Sequence, residues 1–95
     1  MYEIRYAHDA ADDLRSLRPF DQRKVFAGVE RHLLHEPCRV SGSRIKQMTQ
    51  PFWSQYRLRI DDMRIYYDVD GTALRVTVLR VLKKTTGTTP TEPRP

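Results

Sequence analysis

The chain has 95 residues and one cysteine, Cys38, which sets the scale at one domain with one modest core and excludes an internal disulfide. No apolar run is long enough for a membrane span, and "MYEIRYAHDA" lacks the apolar stretch of a signal peptide, so a cytoplasmic protein is expected. The net charge of +5 is uneven: residues 1–40 carry seven Lys/Arg against seven Asp/Glu, residues 41–84 carry nine against four, and residues 85–95 balance Arg94 with Glu92. Excess charge confined to one segment suggests a polyanionic partner, nucleic acid first, with a plain charged, soluble surface as the alternative.

In chain order, "YEIRY" (2–6) alternates, with Tyr2, Ile4 and Tyr6 on one side, and predicts a short strand. Asp9 is placed to cap a helix whose apolar stripe is Ala11, Leu14 and Leu17, and Pro19 closes that helix or opens the next element. Asp21 is a second cap candidate. Val25, Phe26, Val29 and Leu33 then recur at helical spacing until "HEP" (35–37) stops the helix. The short joint predicts a helical hairpin. Gly28 inside the second helix costs it about 1 kcal/mol relative to alanine and suggests close packing.

Residues 38–53, "CRVSGSRIKQMTQPFW", are less regular and predict a loop approaching the sheet. Strands follow at about 54–60, 63–69 and 73–82. The tail "TTGTTPTEPRP" (85–95) has little to bury and is expected to be disordered, leaving one domain over residues 1–84. The order is β-α-α-β-β-β. It implies an α+β domain in which an antiparallel meander, with the first strand beside it, is covered on one face by the helix pair.

The meander raises the functional question. In "YRLRIDDMRIYYDVDG" (56–71), a two-residue turn at Asp61-Asp62 sets Arg59 opposite Arg64 and Arg57 opposite Tyr66. These four then share one face, while Tyr56, Leu58, Ile60, Met63, Ile65, Tyr67 and Val69 share the other. A second two-residue turn at Asp70-Gly71 would set Arg75 opposite Tyr66 and leave Arg80 on the apolar side unless a bulge shifts the register. Like charges directly opposite are destabilising, and an ordinary solvated face would mix Thr, Glu and Lys. Arginine forks suit phosphate, and Tyr66 is a candidate for stacking on a base. Phe52 and Trp53, which follow Pro51, are read as core or edge packing, with base stacking as the alternative. His32, His35 and Cys38 in "HLLHEPC" lack a matching fourth ligand, so neither a metal nor another cofactor is expected.

The element order, the "YRLRIDDMRIYYDVDG" hairpin and "LRVTVLRVLKK" together resemble the RelE/ParE toxins of bacterial type II toxin–antitoxin systems over about residues 2–84. The resemblance implies a cognate antitoxin as partner. In the RelE branch it implies a ribosome-dependent endoribonuclease that cuts mRNA by attack of a 2′-hydroxyl on the neighbouring phosphate. Carried over, Arg64 would hold the scissile phosphate, Arg57 and Arg59 would take the two first-strand site positions, and Lys83 or Lys84 would be the basic residue after the last strand. With Arg75 and Tyr66, these make the expected RNA-binding set. Arginine cannot be deprotonated in proteins, no tyrosine follows Tyr67 and no histidine follows His35, so the proton-transfer half of such a site is not evident. The alternatives are a non-catalytic RNA-, ribosome- or antitoxin-binding module of the same fold, and a ParE-like inhibitor of DNA gyrase.

Overall fold

A computed structural model describes residues 1–84 of the chain. The expected tail, 85–95, lies outside the described residues. The elements are β1 (Glu3–Tyr6), α1 (His8–Arg15), α2 (Pro19–Leu33), β2 (Ile45–Gln47), β3 (Tyr56–Ile60), β4 (Met63–Asp70) and β5 (Arg75–Lys83). They form one sheet in the order β1-β5-β4-β3-β2. β1 runs parallel to β5 and the remaining pairs are antiparallel, so the α+β expectation holds, with one extra strand. That strand, β2, was hidden because only three residues of the irregular stretch join the ladder, opposite Tyr56 to Leu58.

The helices supply Ala10, Leu14, Val25, Val29 and Leu33 to the core, and the sheet supplies Leu58, Ile60, Met63, Ile65, Tyr67, Val76, Val78 and Val81. Gly28 lets α2 sit directly on β3: a Cβ there would lie 1.8 Å from Ile60 Cδ1 and 2.9 Å from its Cγ1. The buried Tyr67 hydroxyl donates to the Pro37 carbonyl at 2.6 Å, fixing the chain just past α2 to the middle of the sheet.

Neither expected aspartate cap forms. Ala7 precedes α1 and Arg18 precedes α2, without side-chain capping bonds, and Pro19 opens α2, where its missing N–H removes no helical bond. The Gln22 amide instead donates to the Leu14 and Leu17 carbonyls, closing the end of α1. Asp21 is buried at the first turn of α2 beside Lys83 (3.3 Å), Arg18 (3.6 Å) and Lys24 (4.0 Å).

The first hairpin has the expected register, with Asp61 at φ 52°, a left-handed conformation that aspartate tolerates. The second does not. Asp70 pairs with Arg75 across a four-residue turn, because Asp70 Oδ1 accepts the Thr72 and Ala73 N–H groups at 3.0 Å each and Leu74 takes the left-handed position, φ 53°. A register break beside Tyr66/Tyr67 then leaves Leu79 without a ladder partner. This bulge moves Arg80 opposite Tyr66 and returns Val81 to the core.

A candidate phosphate-binding face

β3 and β4 project Arg57, Arg59, Arg64 and Tyr66 to one face, since Arg57 pairs with Tyr66 and Arg59 with Arg64, while Leu58, Ile60, Met63 and Ile65 point to the helices. Arg59 is exposed and Arg64 half-buried. Neither makes an ion pair with a carboxylate among the described residues.

β2 extends this face. Lys46 pairs with Arg57, so its side chain joins the same row. Arg44 continues it next to Arg59: the Arg59 N–H donates to the Arg44 carbonyl at 2.8 Å, and the Arg44 guanidinium donates to the Arg59 carbonyl at 3.2 Å. Sequence reasoning missed both residues because it left 38–53 unpaired. The available signal was the alternation in "RIKQ", where buried Ile45 separates two cations.

The opposite end of the face is acidic. Asp68 and Asp70 follow Tyr66 on the same side of β4, and Glu3 accepts from Arg75 at 3.0 Å and from Arg5 at 3.2 Å. Those two arginines hold the Glu3 carboxyl below its ordinary value. Arg75 therefore does not stand opposite Tyr66. Its partner Asp70 lies about 20 Å along β4 from Arg64, and a carboxylate already occupies its guanidinium.

Three other expected residues separate. Lys83 pairs with Met63 at the end of the core face and reaches Asp21 at 3.3 Å and Asp62 at 3.9 Å, on the helix side. Lys84 continues the ladder through its N–H to the Asp62 carbonyl at 2.7 Å and is exposed; alternation along the strand gives it the same side as Leu82, the partner of Arg64. Tyr66 is on the predicted face but only 3% exposed. The Trp53 ring lies 4.7 Å from it and the Phe52 ring 6.1 Å, so the tyrosine ring is covered and no base can stack on it in this arrangement. Phe52 and Trp53 are thus not core residues; they cap the arginine face.

Arg80 is held by a carboxylate on α1. β1 pairs with β5 only as far as Val78, which leaves the next stretch of the β5 edge open to α1. Asp13 fills it, accepting from Arg80 at 2.7 and 2.8 Å and from the Val81 N–H at 2.9 Å. Of the metal candidates, His32, His35 and Cys38 do not converge; among the described residues the convergent group is His8, Asp9 and Asp12, all exposed on α1.

A two-helix layer on a mixed five-stranded sheet, with a row of cations on the open face, defines the class as a small α+β domain. The sequence model of the ParE toxin of the type II parDE toxin–antitoxin system matches residues 4–86. The chain therefore belongs to the RelE/ParE family of type II toxin–antitoxin toxins. A search of curated proteins returned no significant match. Among solved structures, the chain is similar to one from the RelBE2 toxin–antitoxin complex of Mycobacterium tuberculosis, at 25% identity and a TM-score of 0.71 over 87% of this chain and 98% of that one. A chain of the intact Escherichia coli RelBE complex shares the fold at 17% identity and a TM-score of 0.69 over 90% and 98%. One from the archaeal RelE–RelB complex of Pyrococcus horikoshii does so at 17% and 0.64, with the same coverage.

Proposed function

We propose that this toxin inhibits translation by binding ribosome-engaged mRNA on the arginine face and cleaving it endonucleolytically. The observation that carries the reading is the Arg59–Arg64 pair: two guanidinium groups directly opposite, flanked by Arg57, Lys46 and Arg44. Such a row suits a chain of phosphates, and a planar fork suits the oxyanion that gains charge when a 2′-hydroxyl attacks. In this reading Arg64 grips the reacting phosphate and Arg57 and Arg59 bind its neighbours. Lys84, on the same side at the hairpin mouth, is the group that can move a proton; Lys83 is structural.

The antitoxin is the partner of the same reading. A largely apolar groove of about 400 Å³ between β1 and α2, lined by Ile4, Tyr6, Phe26, Val29, Glu30 and Leu34, is where an apolar segment of it would dock, with Phe26 42% exposed. The complexes of Mycobacterium tuberculosis and Escherichia coli support such a pairing.

The test is a cleavage assay on ribosomes programmed with mRNA, run beside ribosome binding for the wild type, Arg64→Ala and Lys84→Ala. Wild type should cut. Arg64→Ala should lose a factor on the order of hundreds to a thousand in rate, the usual effect of removing one such donor. Lys84→Ala should lose cleavage while keeping affinity. Wild type that binds ribosomes and never cuts would leave the binding-module alternative. Wild type that ignores ribosomes and blocks gyrase supercoiling would favour the ParE-like activity.

A further inference from the structure

We infer that the stacked Phe52 and Trp53 rings form a platform for one base of single-stranded RNA beside the arginine row, an inference that rests on reading that row as an RNA-binding surface. The two rings stack at 5.0 Å with 24° between their planes. Both remain half-buried although Tyr66 beneath them is closed off, so aromatic surface is left over after the tyrosine is covered. The Trp53 indole N–H is buried and finds no acceptor among the described residues. No hydrogen bond therefore fixes this ring; stacking on Phe52 and Tyr66 does.

The loop carrying the rings is already ordered. Gln50 Oε1 accepts the Phe52 N–H at 3.2 Å, its amide donates to the Ser54 carbonyl at 3.3 Å, and Ser54 Oγ donates to the Tyr56 carbonyl at 3.2 Å. At its base, Gln55 and Asp68 tie the loop to β4, with the Gln55 N–H to Asp68 Oδ1 and the Val69 N–H to Gln55 Oε1 each at 2.7 Å. A fixed aromatic face forgoes the ordering cost that a mobile one would carry on binding. Its location also suits a base. Tyr66 lies two residues, about 7 Å, from Arg64 along β4. A phosphate on Arg64 and a base on the rings above Tyr66 are then within reach of one short stretch of single strand. Stacking on aromatic faces beside a cationic track is the general way single strands are held without reading their sequence.

Trp53 is the single tryptophan of the chain, so its indole N–H gives one isolated NMR resonance. The full-length toxin is titrated to millimolar concentration with a short single-stranded RNA, with the same backbone lacking bases, and with inorganic polyphosphate. The platform predicts that RNA shifts both the Arg59 and Arg64 amides and the indole, whereas the abasic strand and polyphosphate shift the arginines alone. Phe52→Leu keeps apolar cover over Tyr66 but removes one π-face, and should weaken RNA binding about five- to a hundred-fold without changing polyphosphate binding. Phe52→Tyr should bind RNA as the wild type does. Arginine shifts with a silent indole, or unaltered RNA affinity in Phe52→Leu, would overturn the platform and leave RNA binding by the arginine face intact. No response to RNA at either place would overturn both.

Discussion

Arg59 and Arg64 face each other across the β3–β4 ladder, and neither guanidinium pairs with a carboxylate among the described residues. Like charges at directly opposed positions destabilise a sheet by a few tenths to about 1 kcal/mol. On the proposed RNA-binding role, the pair trades stability for ligand binding. Arg59→Thr should raise the melting temperature by a few degrees, since about 1 kcal/mol corresponds to roughly 4–8 °C in a domain of this size. The same variant should be less toxic when induced in growing cells. Arg64→Lys keeps the charge but not the planar fork, and should recover only part of the toxicity lost in Arg64→Ala. A destabilised Arg59→Thr would show that the face is organised by packing rather than held for a ligand.

Gly28 and Ile60 make a second linked pair. Alanine at position 28 gains about 1 kcal/mol of helix propensity but drives its methyl into Ile60 Cδ1 and Cγ1. Overpacking of this kind costs roughly 1–3 kcal/mol, so Gly28→Ala should be net destabilising in urea titrations. Adding Ile60→Val removes Cδ1, the atom 1.8 Å away, and the double variant should be more stable than Gly28→Ala alone. Simple additivity of the two losses would show that α2 does not rest on Ile60.

Which parts of this arrangement could be read from the sequence follows from side-chain period. Alternation through "YRLRI" and "MRIYY" separates the arginine face from the core face, and a tight Asp61-Asp62 turn fixes the register between them. Sliding β5 by four residues against β4 preserves every face. The apolar pattern is therefore blind to the difference between the expected partner of Arg75, Tyr66, and the actual one, Asp70. The bulge at Leu79 shows in sequence only as the misplaced Arg80. Tyr66 was legible as a residue of the arginine face but not as a buried one, since its cover comes from Phe52 and Trp53 in a loop with no periodicity. Lys83 and Lys84 are adjacent in sequence and read alike; only the ladder sends one to Asp21 and leaves the other at the hairpin mouth.

Asp13 should be far more sensitive than its neighbour Asp12. Its carboxylate takes both arms of Arg80 and the Val81 N–H, with side chains only 14% and 18% exposed. Removing it strands a half-buried guanidinium and a backbone donor at the sheet edge, a loss of about 2–3 kcal/mol. Asp12 pairs with Arg15 and His8 in the open, where such contacts contribute about 0–1 kcal/mol. Chemical denaturation of Asp13→Ala and Asp12→Ala should separate accordingly. Equal losses would mean that the Arg80 bridge is replaced by water at no cost.

Asp21 should make stability depend on acid pH in a defined direction. Burial alone would raise its pKa, but the hydrogen bond and charge of Lys83, followed by the charges of Arg18 and Lys24, outweigh burial and hold the carboxyl below its ordinary 3.8. A group whose folded-state pKa is depressed binds its proton less readily in the native state than in the unfolded chain. Its contribution is fully present above the unfolded value and fades as pH falls through the folded one. Asp21→Asn should therefore be less stable than wild type at neutral pH, by an amount that stays constant down to about pH 5 and shrinks as the solution is made more acidic than 3.8. Glu3 provides a control: Arg75 and Arg5 lower its pKa too, but it is half-exposed at the sheet edge, so Glu3→Gln should change the acid limb little. Urea midpoints for the three proteins between pH 7 and pH 2.5 give the comparison. A gap between wild type and Asp21→Asn that persisted unchanged to pH 2.5 would show that Asp21 acts there through packing and not through its charge, and the tie between α2 and the end of β5 would then have to be assigned to other contacts.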